Sequence, residues 1–271
     1  MSDFIEIELT RDVLKKLGYK IKKQLWTKYH VYNNNKRVFS IDIPATYESE
    51  GQKYKITSIG KDVFIFTDFE SINIPDTVTK IDKGAFSNCS LKSIVIPDSV
   101  MFIGEEAFLG AEKIENITLP NSIIEIKEDL FACCDNLKSI IIPDSVTKIG
   151  DCAFSESSIE NIVIPNSVTQ IGDNVFSDCS KLKSIFIPES VKEIGCGVFS
   201  GCSSLENIVI PNSVDLIYDL SSNDMFKDCT NLKKVHLPKK LTCVGKYFFK
   251  NCTSLQEVNN IPFKIFQKNI Y

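Results

Sequence analysis

Residues 64–252 repeat nearly the same phrase every 22 or 23 residues, and that period limits the fold more than any local propensity does. The unit opening at Cys179 reads CSKLKSIFIPESVKEIGCGVF and ends at Phe199; the next opens at Cys202 with CSSLENIVIPNSV. Pro75, Pro97, Pro120, Pro143, Pro165, Pro188, Pro211 and Pro238 are spaced by 22, 23, 23, 22, 23, 23 and 27 residues. A unit this short cannot bury its own apolar face, but stacked copies share a continuous core, so the chain reads as one solenoid rather than two globules.

Within a unit, the apolar residues of L-x-x-I-x-I, as at Leu182, Ile185 and Ile187, alternate with polar ones and predict a short strand. Pro188 ends it, because proline has no N–H for a further ladder bond, and Glu189-Ser190 continue as a turn. V-x-x-I-G, as at Val191, Ile194 and Gly195, predicts a second short extended piece on the opposite side, closed by Val198-Phe199.

Stacking turns each repeated position into a column, with neighbours roughly 4.8 Å apart. Nine of the 18 Phe, at 64, 86, 108, 131, 154, 176, 199, 226 and 249, form one column, expected as a buried spine. Cys89, Cys134, Cys179, Cys202, Cys229 and Cys252 follow the Phe by three residues. Ala111 and Ser157 hold the same place elsewhere, so the position is expected to want a small buried group rather than a disulfide or a zinc ligand. Gly104, Gly150, Gly172, Gly195 and Gly245 recur at a turn, where they are expected to supply positive φ.

Residues between the buried strand positions point outward. One outward column includes Asn161, Ser184 and Asn207; the next includes Val95, Thr118, Ile141, Val163, Phe186, Val209 and His236. An exposed aliphatic ridge flanked by Ser and Asn suits a protein- or peptide-binding strip, with Phe186 as its anchor. The competing reading, that β-branched residues are simply good strand formers pairing across the ladder, stays open. The column before these alternates Glu70, Lys92, Glu115, Lys138, Glu160, Lys183, Glu206 and Lys233. That alternation favours one register and leaves no continuous positive track for phosphates.

Residues 1–38 differ from the rest. They hold nine Lys or Arg against four Asp or Glu, so with a net charge of −4 the remainder carries −9. A strand over Phe4, Ile5, Ile7 and Leu9 is expected, then a short helix capped by Thr10 through Val13, Leu14 and Leu17 and ended by Gly18. A second extended piece is expected around Trp26, Tyr29, Val31 and Tyr32, stopping at Asn33-Asn34-Asn35. The segment reads as an N-terminal cap, with a basic docking element as the alternative. Residues 39–262 read as the solenoid, starting with a degenerate repeat, and residues 263–271 as a C-terminal cap or an edge for end-to-end association. The 27-residue spacing marks a loop insertion at YDLSSN.

The N-terminus has neither a basic region nor an apolar core of signal type, and no run of 18 apolar residues exists, so a cytoplasmic protein without membrane insertion is expected. The acidic balance argues against nucleic acid as the partner. Catalysis is not expected: the two histidines, His30 and His236, lie in separate regions without an evident carboxylate pattern, and there is no H-E-x-x-H, P-loop or G-x-S-x-G signature. No cofactor or metal is expected.

The unit C-x-x-L-x-x-I-x-I-P-x-S-V-x-x-I-G-x-x-x-F resembles the BspA-like leucine-rich repeats over about residues 56–262. That class is known from bacterial surface proteins and is expanded in anaerobic protists. The resemblance implies a right-handed, strand-rich α/β-type leucine-rich repeat solenoid of 22–24-residue repeats. Its parallel strands would line the concave face, where ligands of such proteins usually bind, with short strands and turns on the convex face. It implies no catalytic residues. A monomeric protein-interaction scaffold is therefore the leading expectation; a surface adhesin or antigen and a self-assembling structural protein are the alternatives.

Overall fold

The computed structural model describes residues 4–23, 29–217, 224–241, 244–245 and 247–260. The YDLSSN insertion, Trp26, Cys243 and the expected 263–271 cap lie outside them. The chain forms two compact units, residues 1–123 with 134–137, and residues 124–133 with 138–271.

The first unit opens with β1, Ile5–Leu9, and α1, Arg11–Lys16, the only α-helix among the described residues. The Thr10 side chain accepts a hydrogen bond from the Val13 amide, and Gly18 at φ +88° carries the chain out of the helix. β2 (Tyr19–Lys23) and β3 (Tyr29–Asn33) are antiparallel, and Asn34 and Asn35, both at positive φ, turn β3 into β4 (Lys36–Arg37). β5 (Ser40–Asp42) precedes the hairpin of β6 (Thr46–Ser49) and β7 (Gln52–Ile59). β1 lies parallel to β7, which continues to Lys80–Ile81 and Phe102–Ile103. The amino-terminal strand thus occupies an edge that β7 would otherwise leave open. β8 (Thr67–Asp68) pairs with β3.

The second unit carries the repeat in its plainest form. Glu125–Ile126, Lys148–Ile149, Gln170–Ile171, Glu193–Ile194 and Leu216–Ile217 form one parallel sheet of two-residue strands. On the other side of most coils run three-residue strands. Ser139–Ile141 pairs with Asn161–Val163, and Asn207–Val209 pairs with Lys234–His236 and then Glu257–Asn259. In Asn161–Val163 and Asn207–Val209 the middle Ile is buried and its neighbours exposed, as period-two alternation requires. Pro143, Pro165, Pro188, Pro211 and Pro238 each start a hydrogen-bonded turn, with the Val191 amide donating to the Pro188 carbonyl at 3.1 Å and Val168 to Pro165 at 3.1 Å.

The Phe column is the buried spine. In the first unit Phe64, Phe86 and Phe108 stack at 5.4 and 5.3 Å; in the second, Phe131, Phe154, Phe176, Phe199, Phe226 and Phe249 stack at 5.5–5.8 Å. Through most of the array the residues two before and two after the Phe are left-handed. Cys152 and Glu156 flank Phe154 at φ 54° and 57°, and Asn174 and Asp178 flank Phe176 at 54° and 57°.

This corrects the expectation for the recurring glycines. Positive φ falls two residues later, mostly on non-glycine residues, while Gly104, Gly150, Gly172 and Gly195 are absent from the left-handed set. Those glycines are needed for closeness. A Cβ at Gly104 would lie 2.5 Å from the Lys83 amide nitrogen, and one at Gly195 the same distance from that of Asp173.

The thiol column also has more chemistry than smallness. The Sγ of Cys179, Cys202, Cys229 and Cys252 lies 3.0, 3.1, 3.0 and 2.9 Å from the Phe carbonyl of the preceding coil. Each thiol is a second donor to a carbonyl that already accepts an amide in its own turn, as Phe154 does from Ser157 and Phe176 from Cys179, both at 3.2 Å. No disulfide joins the described cysteines, and burial pushes Cys179 up to about 11 and Cys202 well above the ordinary range. The alternating charges resolve into pairs, with Lys92 reaching back to Glu70 at 2.9 Å, Lys183 to Glu160 at 3.2 Å and Lys233 to Glu206 at 2.9 Å.

Candidate functional site

The three-residue strands set the predicted ridge outward. In the first unit, Val95 is 68% exposed and Thr118 stands opposite it across the parallel pair. In the second unit, Ile141 is 85%, Val163 74%, Phe186 70% and Val209 59% exposed; register sets Ile141 beside Val163, Val163 beside Phe186, and Val209 beside His236. His236 continues the row but is only half-exposed, its Nε2 lying 3.0 Å from the Asn260 amide nitrogen. Asn161, Ser184 and Asn207 form the exposed polar row beside it. A run of four large apolar side chains each more than half exposed goes beyond the scattered apolar surface any protein carries.

Strand pairing lapses in the middle of this face. Residues 184–186 form no named strand and join the sheet by the single Val163–Phe186 bridge; Asn207–Val209 begins a separate sheet. A groove of about 500 Å³ lies there, lined on one side by Phe186 and Ile187 and on the other by Asn207, Val209 and His236. Glu189, Lys234 and Asn259 supply its polar rim. Lys234 pairs with Glu257 at 3.2 Å, and the Asn259 amide, with that ammonium, holds the Glu257 carboxyl below the usual range. Alternation alone located the ridge. It could not locate the groove or the part taken by Glu189 and Asn259, because these depend on where pairing lapses.

The histidines are also placed. His236 belongs to the groove. Contrary to the sequence expectation, His30 does meet a carboxylate: pairing of β3 with β8 brings Asp68 to 3.4 Å from its Nε2, and Arg37 contacts the same Asp68. Among the described residues no group of three or more His, Cys, Asp or Glu is placed to hold a metal ion, and no helix is long and apolar enough to cross a membrane.

Short parallel strands repeated at this period, with a Phe spine and strand-borne apolar row, define a strand-rich leucine-rich repeat solenoid. The BspA type leucine rich repeat region (six copies) matches residues 57–183 and 147–271, and the chain belongs to that family. Similar solved structures include a leucine rich cell surface protein from Faecalibacterium prausnitzii, 18% identical, covering 89% of this chain and 93% of that one with a TM-score of 0.45. The T. pallidum leucine rich repeat protein is 23% identical, covering 88% of each chain, with a TM-score of 0.44. The pneumococcal vaccine antigen PcpA is 16% identical, covering 89% and 83%, with a TM-score of 0.47. No curated protein matches the sequence.

Proposed function

We propose that this protein is a non-enzymatic interaction module that binds a protein or peptide on the face of the three-residue strands, anchored at Phe186 and Val209. The observation that carries this reading is the coincidence of the exposed row Ile141, Val163, Phe186 and Val209 with the groove beside Phe186. Burying such a row removes apolar surface from water at roughly 25 cal/mol per Å², while the Ser/Asn row and the rim of Glu189 and Asn259 orient the partner. Aromatic anchors in a central pocket carry most of the energy in interfaces of this kind.

The strand-filler reading predicts that these side chains matter only to stability. The test is partner capture with wild type and a Phe186→Asp/Val209→Asp variant whose far-ultraviolet circular dichroism and urea midpoint are unchanged. Loss of the captured partner supports the module; retention refutes it. The cytoplasmic location expected from the N-terminal residues gains no support from the family, and labelling of intact cells decides between the interior and the surface.

A further inference from the structure

We propose that the sheet of β2, β3 and β4 is a second docking surface, one that takes a short acidic polypeptide strand on the outer edge of β2. Between Asp12 and Asp42 the chain holds eight Lys or Arg and no Asp or Glu. The antiparallel register gathers part of that charge on one face, because Lys20 stands opposite Tyr32, Tyr32 opposite Arg37 and Lys22 opposite His30. Lys20, Lys22 and Arg37 are exposed there. The carboxylate beside them, Asp68, is engaged by Arg37 and His30. Lys20 and Lys22 have no ion pair among the described residues, and Lys22 sits 5.1 Å over the Tyr32 ring.

β2 is an end strand. β3 takes one of its edges, and no described strand takes the other. That edge offers main-chain donors and acceptors to an added strand, the mode by which many extended peptides are recognised. Lysines on an edge deter indiscriminate pairing, and the same charges admit a strand bearing carboxylates. In such a strand, alternate residues recur every ~6.8 Å, the spacing of Lys20 and Lys22 along β2. In the same unit, residues 39–123 hold 13 Asp or Glu against seven Lys or Arg, an acidic excess that opposes a nucleic acid or an anionic bilayer wider than this sheet. A short strand is not so opposed.

The probe is fluorescein-labelled Glu-Val-Glu-Val-Glu-Val, titrated with the full chain. Saturable binding is expected, weakened about tenfold or more by high salt and by Lys20→Glu/Lys22→Glu. Lys20→Gln/Lys22→Gln should weaken it in the same direction, which keeps the test valid where the Glu pair disturbs folding. The Phe186→Asp/Val209→Asp variant should bind this probe as wild type does. A version N-methylated at alternate residues keeps its charge and loses its ladder donors, and should not bind. Failure of the parent peptide to saturate, indifference to the Lys20 and Lys22 substitutions, or equal binding of the N-methylated peptide would each overturn the proposal. So would tighter, Lys20/Lys22-dependent binding of oligouridylate or of phosphatidylserine vesicles than of the peptide.

Discussion

Replacing Phe176 with Ala tests what holds the coils together. Phe176 is fully buried, and its ring stacks on Phe154 at 5.7 Å and on Phe199 at 5.8 Å, with interplanar angles of 7° and 9°. Truncating a buried Phe costs about 3–5 kcal/mol through lost transfer energy and the cavity left behind. Each aromatic pair adds about 0.5–1.5 kcal/mol beyond buried area, so a ring stacked on both faces belongs near the top of that range. Phe176→Leu keeps much of the volume and loses both stacked pairs, so it should cost about 1–3 kcal/mol. Phe39→Ala, at a ring 48% exposed, should cost clearly less than either. Urea unfolding followed by circular dichroism reads these as midpoint shifts, provided the slope is unchanged. A stack of coils that each touch only their neighbours can lose cooperativity when a central coil is weakened, so a second transition in Phe176→Ala is also consistent with the spine. An unshifted midpoint with an unchanged slope would refute it.

Gly195→Ala should destabilise by about 1–3 kcal/mol, since the new methyl would meet backbone of the preceding coil at 2.5 Å; thermal unfolding checks it. Gly51→Ala meets nothing within 4 Å and should cost only the strain of φ +75°, about 1 kcal/mol, so equal losses at the two sites would contradict the close-stacking account. Cys179 and Cys202 should resist iodoacetamide in the folded protein and react on unfolding, because burial holds both thiols in their neutral form. The neutral thiol is favoured in the fold, so the stability contributed by Cys179 is complete below its ordinary value of 9.0 and falls as pH rises through about 11. Urea midpoints across that window should therefore drop less in Cys179→Ala than in wild type.

Much of this architecture is written in the period itself. Spacing of the Phe and Pro residues gives the coil, alternation in Asn161–Val163 gives the face, and Thr10 with Gly18 gives the limits of α1. What sequence could not supply was the reason for a repeated residue. A glycine column is compatible both with positive φ and with close approach, and only stacking distinguishes them. The left-handed positions carry no single residue type: Gly84, Asp129 and Asn174 are of kinds that tolerate the angle, but Glu106 and Cys152 take the same place, so no motif marks the column. The Cys column reads as small and buried, while its hydrogen bond to the Phe carbonyl depends on an acceptor one coil away. The turn serines are similar: the Ser213 hydroxyl donates to the Val191 carbonyl at 2.8 Å, a bond between coils that a turn motif does not announce. The ridge was legible because outward positions alternate regularly. The groove was not, since it arises where residues 184–186 leave the regular ladder.

The central claim is that the exposed row is a recognition surface rather than strand filler. Its most direct test captures partners from lysate of the source cell with three proteins side by side: wild type, Phe186→Asp/Val209→Asp, and Met101→Asp as a control. Met101 is 63% exposed and precedes the two-residue strand Phe102–Ile103, away from the ridge column. The account predicts a partner held by wild type and by Met101→Asp and lost from the double variant, with all three equally folded by circular dichroism. A partner list unchanged in the double variant would contradict it.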